Sequence, residues 1–243
     1  SFTLDYGPFG FIDMFDPKYQ PWTGGGQHFS FLNQPQAAGR NFNSFCTALA
    51  PLLESDQDSL AKLETIKDEF SLVMQDQIQT MWAAKLGLDT FDAELFKELI
   101  VLMLQTSVDY TILFRELSHI PENIEPLKKS FYQESITGED ILTRWSAWLQ
   151  KWRSLINAAS PESREKVSQK MKAVNPKYTL REWFLVPAYQ QATEGDYTLI
   201  KELQEIMTKP YDELSAETEE KYYKLKPTEF FAIAGISHVS CSS

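Results

Sequence analysis

The sequence predicts a mainly α fold. Apolar residues recur at three- and four-residue steps from Gln36 almost to the end, the spacing of one helix face. Prolines and glycines fall mostly at the ends of those stretches. Apolar residues make up 43% of the 243 residues and aromatic ones 13%, enough for one substantial core or two small ones. Three parts follow: residues 1–35, irregular; residues 36–210, a helical lobe; and residues 211–243, a tail.

Taken in order, residues 12–35 are punctuated by Asp16-Pro17, Gln20-Pro21 and Gly24-Gly25-Gly26, and Gln34-Pro35 closes them. The glycine triplet lacks the spacing of a phosphate cradle and reads as a hinge. Phe42, Phe45, Cys46 and Leu49 mark a first helix, which Pro51 interrupts. Leu60, Leu63, Phe70, Val73, Met74, Met81 and Trp82 trace a long second stripe, with Gly87 as its stop. Asp89 or Thr90 caps the next helix, whose buried face carries Leu95, Phe96, Leu99, Leu102 and Met103. Asp109 to Ser118 is a short helix, and Pro121 and Pro126 bracket a connection.

The strongest stripe follows Gly138: Ile141, Leu142, Trp145, Trp148, Leu149, Trp152, Leu155 and Ile156. Three tryptophans at that spacing suit a ligand cage or a core, and the helical period favours the core. Ser160-Pro161 opens another helix in the favoured order of cap then proline. Asn175-Pro176 breaks the chain, Tyr178 to Ala192 reads as a helix kinked at Pro187, and Asp196 caps a helix running to Met207. No helix is read in the charged stretch after Tyr211, and Phe230-Phe231-Ala232-Ile233 suggests a docked extended segment.

Composition excludes several functions. The net charge of −11 argues against broad binding to nucleic acid or an anionic membrane. No apolar run of 18 residues occurs, so no membrane span is expected. Cys46 and Cys241 are too few and too distant for a disulfide framework or a zinc site. His28, His119 and His238 form no metal-spaced cluster and receive no role. No basic region precedes the first apolar residues, so no secretory signal is read, and the missing initiator Met suggests processing or truncation.

Chemistry concentrates at the start. In Leu4-Asp5-Tyr6-Gly7-Pro8-Phe9-Gly10 a short apolar run delivers one carboxylate into an immediate turn. Kinases hold a nucleotide-bridging metal with the Asp of an Asp-Phe-Gly tripeptide, although Asp-x-Gly is also an ordinary turn. After such a turn, residues 12–35 would be an activation-like segment or a surface loop. Asp13 and Asp16 read as turn caps or solvated carboxylates rather than as partners of Asp5. Arg115 and Arg181 read as ion-paired structural residues.

A longer run of landmarks resembles the protein adenylyltransferase family of selenoprotein O, also called YdiU, which is protein-kinase-like. They are Asp5-Tyr6-Gly7-Pro8-Phe9-Gly10-Phe11, Asp13, Phe15-Asp16-Pro17 and Asn33-Gln34-Pro35; then Asp109-Tyr110-Thr111 with Phe114-Arg115. Val174-Asn175-Pro176-Lys177-Tyr178 with Leu180-Arg181, Gly195-Asp196-Tyr197, Pro210-Tyr211 and Val239-Ser240-Cys241-Ser242-Ser243 continue the series to the end.

The resemblance implies the helical C-lobe part of a kinase-like fold and an enzyme that transfers AMP from ATP to Ser, Thr or Tyr hydroxyls of proteins. It implies magnesium, or manganese in its place, with Asp5 as metal ligand and, through the ion, ATP contact. It places the catalytic base and the ATP-clamping residues upstream of these residues, so no catalytic residue is assigned here and the piece alone is expected to be inactive. It implies a redox role for Cys241; residues 12–35 hold no cysteine, and Cys46 lies on an apolar stripe, so an intramolecular partner is doubtful while a mixed disulfide stays open. Family members are mitochondrial in eukaryotes and cytoplasmic in bacteria. Kinase-type phosphoryl transfer and a non-catalytic helical interaction module are the alternatives.

Overall fold

The computed structural model describes residues 12–20, 26–27, 30–132 and 139–233. Among these the chain is mainly helical, and strand pairing is limited to two isolated antiparallel bridges, Met14 to Asp109 and Val108 to Phe131. No helix among the described residues is long and apolar enough to cross a membrane.

Helix α1 runs Gln34–Leu49 and takes Pro35 into its first turn, two residues before the expected start. Proline is favoured there because its missing N–H has no partner in the first turn anyway. Helix α2, Gln57–Lys85, begins where Asp56 accepts a hydrogen bond from the Ser59 N–H at 3.1 Å. It stops as expected at Gly87, whose φ of +66° favours glycine. Space demands glycine as well, because a Cβ there would lie 2.7 Å from Met171 Sδ. The long α2 stripe is only partly inward: Leu63 and Trp82 are buried, but Val73 and Met81 are exposed. Phe42 stacks on Phe70 where α1 crosses α2, and among the described residues little else covers the middle of that helix.

Helix α3, Ala93–Thr106, is capped by Asp92, which accepts from the Leu95 N–H at 2.8 Å, rather than by Asp89 or Thr90. Helix α4 spans Tyr110–Leu117 with Asp109 as its cap, and a 3₁₀ turn, Glu125–Ser130, follows. Helix α5, Glu139–Leu155, lies along α3. Its tryptophans form core: Trp145 and Trp152 are wholly buried and Trp148 nearly so. Each indole N–H has a partner, respectively Thr106 Oγ1, the Leu86 carbonyl and the Leu95 carbonyl, at 2.7, 2.8 and 3.0 Å.

Helix α6, Pro161–Val174, opens with a reciprocal cap between Ser160 and Ser163. Helix α7 is Glu182–Thr193, not Tyr178 onward. The N–H groups of Lys177 and Tyr178 donate instead to the Pro210 carbonyl, at 2.8 and 3.1 Å, which holds that stretch out of the helix. Helix α8, Thr198–Met207, starts beside Asp196, which accepts from the Thr198 N–H. A further helix, α9, Ala216–Tyr222, forms in the stretch read as non-helical, capped by Ser215. The terminal apolar stretch is docked as a 3₁₀ turn, Thr228–Ala232, and not extended.

Two apolar clusters result. One joins α2, α3, α4 and α5 and includes Ile12 and Phe15 from the segment before α1. The other gathers Ile112, Tyr178, Trp183, Phe184, Ala188, Leu203, Ile206, Tyr222 and Tyr223. Helix α4 serves both, with Ile112 on one side and Leu113, Phe114 and Leu117 on the other.

Candidate functional site

Asp5 and Cys241 lie outside the described residues, as do Gly24, Gly25, His28 and His238. The described residues begin at Ile12, and the way residues 12–20 are held defines the site. Ile12 and Phe15 are buried, and between them the backbone pairs with the entry to α4. The Phe15 N–H donates to the Val108 carbonyl at 2.8 Å, and the Tyr110 N–H donates to the Asp13 carbonyl at 3.0 Å. Further along, the Phe31 N–H donates to the Tyr19 carbonyl and the Leu32 N–H to the Pro17 carbonyl.

Asp13 does not cap or solvate a turn. Its residue is only 9% exposed, and its carboxylate enters a buried ionic cluster. Arg181 Nη1 lies 2.6 Å from Asp13 Oδ1 and 2.5 Å from Asp109 Oδ2, while Nη2 reaches Asp109 Oδ1 at 3.0 Å. Trp183 Nε1 donates to Asp13 Oδ1 at 3.3 Å, and Lys226 Nζ stands 3.5 Å from Asp13 Oδ2. Asp109 also caps α4 by accepting from the Ile112 N–H at 2.9 Å. Burial pushes the Asp109 carboxyl upward against the pull of Arg181. Burial likewise opposes the charge on Arg181, but Asp109 and Asp13 outweigh it and hold the guanidinium protonated. Asp16 does what the sequence suggests, its exposed carboxylate accepting from the Lys18 N–H.

Arg115 is a buried ion-pair residue too, in a separate network. It donates to the carbonyls of Lys172, Asn175 and Tyr211 and to Glu213 Oε1 at 2.7 Å. Asn175, wholly buried, accepts from Lys85 Nζ and donates to the Lys85 carbonyl and Ser118 Oγ. Lys177 bridges Glu213 and Glu219. Burial works against the Glu213 carboxylate, yet hydrogen bonds from Lys177 and Arg115 hold its pKa at about 2, below the usual 4.5. A carboxyl depressed on folding stabilises the native state above its unfolded pKa, and that contribution fades as pH falls toward the folded value. Urea midpoints are therefore expected to drop between pH 4.5 and about 2, with a shallower drop in Glu213→Gln. Parallel acid limbs for the two proteins would sink this assignment. The sequence marked Arg115 and Arg181 as ion-paired residues, as they are, but it did not reveal their partners.

Neither network is a metal site. Among the described residues no group of three His, Cys, Asp or Glu side chains is placed to hold an ion, and Asp13 and Asp109 are taken up by Arg181. A groove of about 650 Å³ between α1 and α2 is lined by Phe70, Met74, Ile78, Trp82, Phe91 and Phe96 among others, with Arg40 as its one ionisable lining residue. Such a wall suits apolar surface, not a triphosphate. Cys46 is a free, buried thiol on α1. His119 is exposed at the surface, its pKa lowered chiefly by desolvation, and it belongs to no metal-binding group among the described residues.

Fold and site together define a helical domain that clamps, through buried charge, the segment that follows the Asp-Tyr-Gly-Pro-Phe-Gly motif in sequence. Residues 1–208 match the family model described as protein adenylyltransferase SelO, and the chain belongs to that family. Similar proteins include the protein nucleotidyltransferase YdiU of Flavobacterium johnsoniae, 34% identical over 253 residues, covering 99% of this chain and 47% of the relative. The protein of that name from Aromatoleum aromaticum is 34% identical over 251 residues, covering 99% and 46% respectively. The one from Rhodopirellula baltica is 29% identical over 262 residues, covering 99% and 47%. The chain thus spans about half the length of the curated relatives it matches.

Proposed function

We propose that this chain is the C-terminal part of a protein adenylyltransferase that moves AMP from ATP to Ser, Thr or Tyr hydroxyls of other proteins. Membership of the family and the name shared by the relatives support nucleotidyl transfer to protein. The observation that carries the reading to this chain is the buried pairing of Asp13, eight positions after Asp5, with Arg181, which also holds Asp109. A metal-ligand turn needs a fixed continuation, because a misplacement of about 1 Å near reacting atoms costs on the order of a hundredfold in rate.

In the proposed reaction the acceptor hydroxyl oxygen bonds to the α-phosphorus, the bond to the bridging oxygen breaks, and pyrophosphate leaves. The hydroxyl proton passes to a base expected outside these 243 residues. Magnesium, or manganese, would neutralise phosphate charge, with Asp5 as its ligand from this chain. Cys241 would be open to mixed disulfides such as glutathionylation. Cys46, buried on α1, is a poor partner for it.

The test uses the full-length parent with magnesium and ATP labelled at the α- or the γ-phosphate, beside Asp5→Ala. Label from the α-position alone, lost in Asp5→Ala, is expected; the 243-residue piece by itself should transfer none. Label from the γ-position would make the parent a kinase. No label from either, in a folded protein with suitable acceptors, would favour a helical interaction module.

A further inference from the structure

We propose that residues Tyr223 to Phe231 form a strap that holds the segment after the Asp5 turn in its working position, with Lys226 as a positioning residue for the transfer. This rests on the reading of Asp5 as part of the active site. The argument begins with charge balance. Asp13, Asp109 and Arg181 are buried together and carry two negative charges against one positive. Lys226, only 4% exposed, brings the fourth buried charge and balances these three, with the partly buried Glu182 also acting on it. Uncompensated buried charge is strongly unfavourable, so the cluster is complete only when the strap is docked.

Apolar contacts seat the strap on the same residues. Lys226 Nζ lies over the Phe231 ring, 4.7 Å from its centroid. Phe231 meets Tyr132 edge to face at 5.5 Å, and Phe230 stacks on Trp183 at 6.2 Å. Trp183 in turn donates to Asp13, so the strap reaches that carboxylate by two routes, one ionic and one through the indole. At its start, the Tyr223 hydroxyl donates to Glu116 Oε1 at 2.8 Å, fixing the strap to α4. Residues Tyr223 to Phe231 thereby bear on the segment that follows the Asp5 motif in sequence. The segment's own backbone ties to the entry of α4 are the Phe15 and Tyr110 N–H groups, beside the buried side chains of Ile12 and Phe15. Loss of one charge from the strap should therefore open it locally without unfolding α3 or α5.

The experiment uses the full-length parent and compares Lys226→Met with Lys226→Arg. Backbone hydrogen exchange is followed in peptides covering residues 12–20 and, as controls, α3 and α5. kcat and KM for ATP are measured on the same preparations. Lys226→Met is expected to raise exchange in residues 12–20 and lower kcat about tenfold or more, with KM for ATP little changed. Lys226→Arg should restore both, since it returns the charge. Should Lys226→Met exchange everywhere, Phe231→Ala, which keeps the charge and removes one seating ring, is read in its place. Unchanged exchange in residues 12–20, or raised exchange with undiminished kcat, overturns the strap. If Asp5→Ala transfers normally, the reading of Asp5 fails and the positioning role with it. A normal Asp5 defect beside an unresponsive Lys226→Met removes the strap alone.

Discussion

Arg181→Met is expected to destabilise the folded chain by about 3–5 kcal/mol, the usual cost of removing one partner from a buried ion pair. Arg181 is 3% exposed and is bonded to two carboxylates that have almost no access to water. Its loss leaves Asp13 and Asp109 buried with one fewer positive charge between them, Lys226 standing beside Asp13. Domains of this kind are stable by only about 5–15 kcal/mol, so such a loss would bring the protein close to unfolding. Arg181→Lys should lie between, because an ammonium cannot reproduce the fork that reaches both acids. The informative companion combines Asp13→Asn, Asp109→Asn, Arg181→Met and Lys226→Met, which removes all four charges together and should recover much of the loss. Urea denaturation of the four proteins decides it. A loss below about 1 kcal/mol in Arg181→Met would mean that the cluster behaves like an exposed salt bridge.

Trp152→Ala is expected to cost a similar amount, about 3–5 kcal/mol, for a different reason. The ring is wholly buried, it stacks on Trp148 with centroids 6.0 Å apart and planes 3° apart, and its N–H satisfies the Leu86 carbonyl. Leu86 immediately precedes Gly87, so the indole also pins the end of α2. Trp152→Phe refills much of the cavity but strands that carbonyl, which should cost about 1–3 kcal/mol. Equal losses in the two variants would remove the cavity argument. Unchanged stability in both would revive the ligand cage as the role of the tryptophan stripe.

These two residues mark the divide between what could be read locally and what could not. Trp145, Trp148 and Trp152 were legible as core because a helix repeats its face every three or four residues, and burial of one face follows from that period. The stop at Gly87 and the Ser160-Pro161 start were legible for the same reason, each acting on backbone within a few residues. Where several caps stood close together the local signal was ambiguous, and Asp92 took the place expected of Asp89 or Thr90. Helix α9 lacked an apolar stripe long enough to announce itself, and it forms where Tyr222 and Tyr223 can pack on α4 and α7. The family was legible from motifs spread over the chain, and the match over residues 1–208 agrees with it.

By itself, then, the sequence determined most of the helices, several of their ends, the aromatic core and the family. Only the tertiary structure decided that Asp13 is an anchor and not a turn cap, because its partner Arg181 lies 168 residues away. Only packing decided that Lys226 completes the charge balance of that cluster. Caps and periodicities are set by neighbours along the chain. Buried charges pair with whatever the fold brings beside them, and desolvation makes that pairing matter.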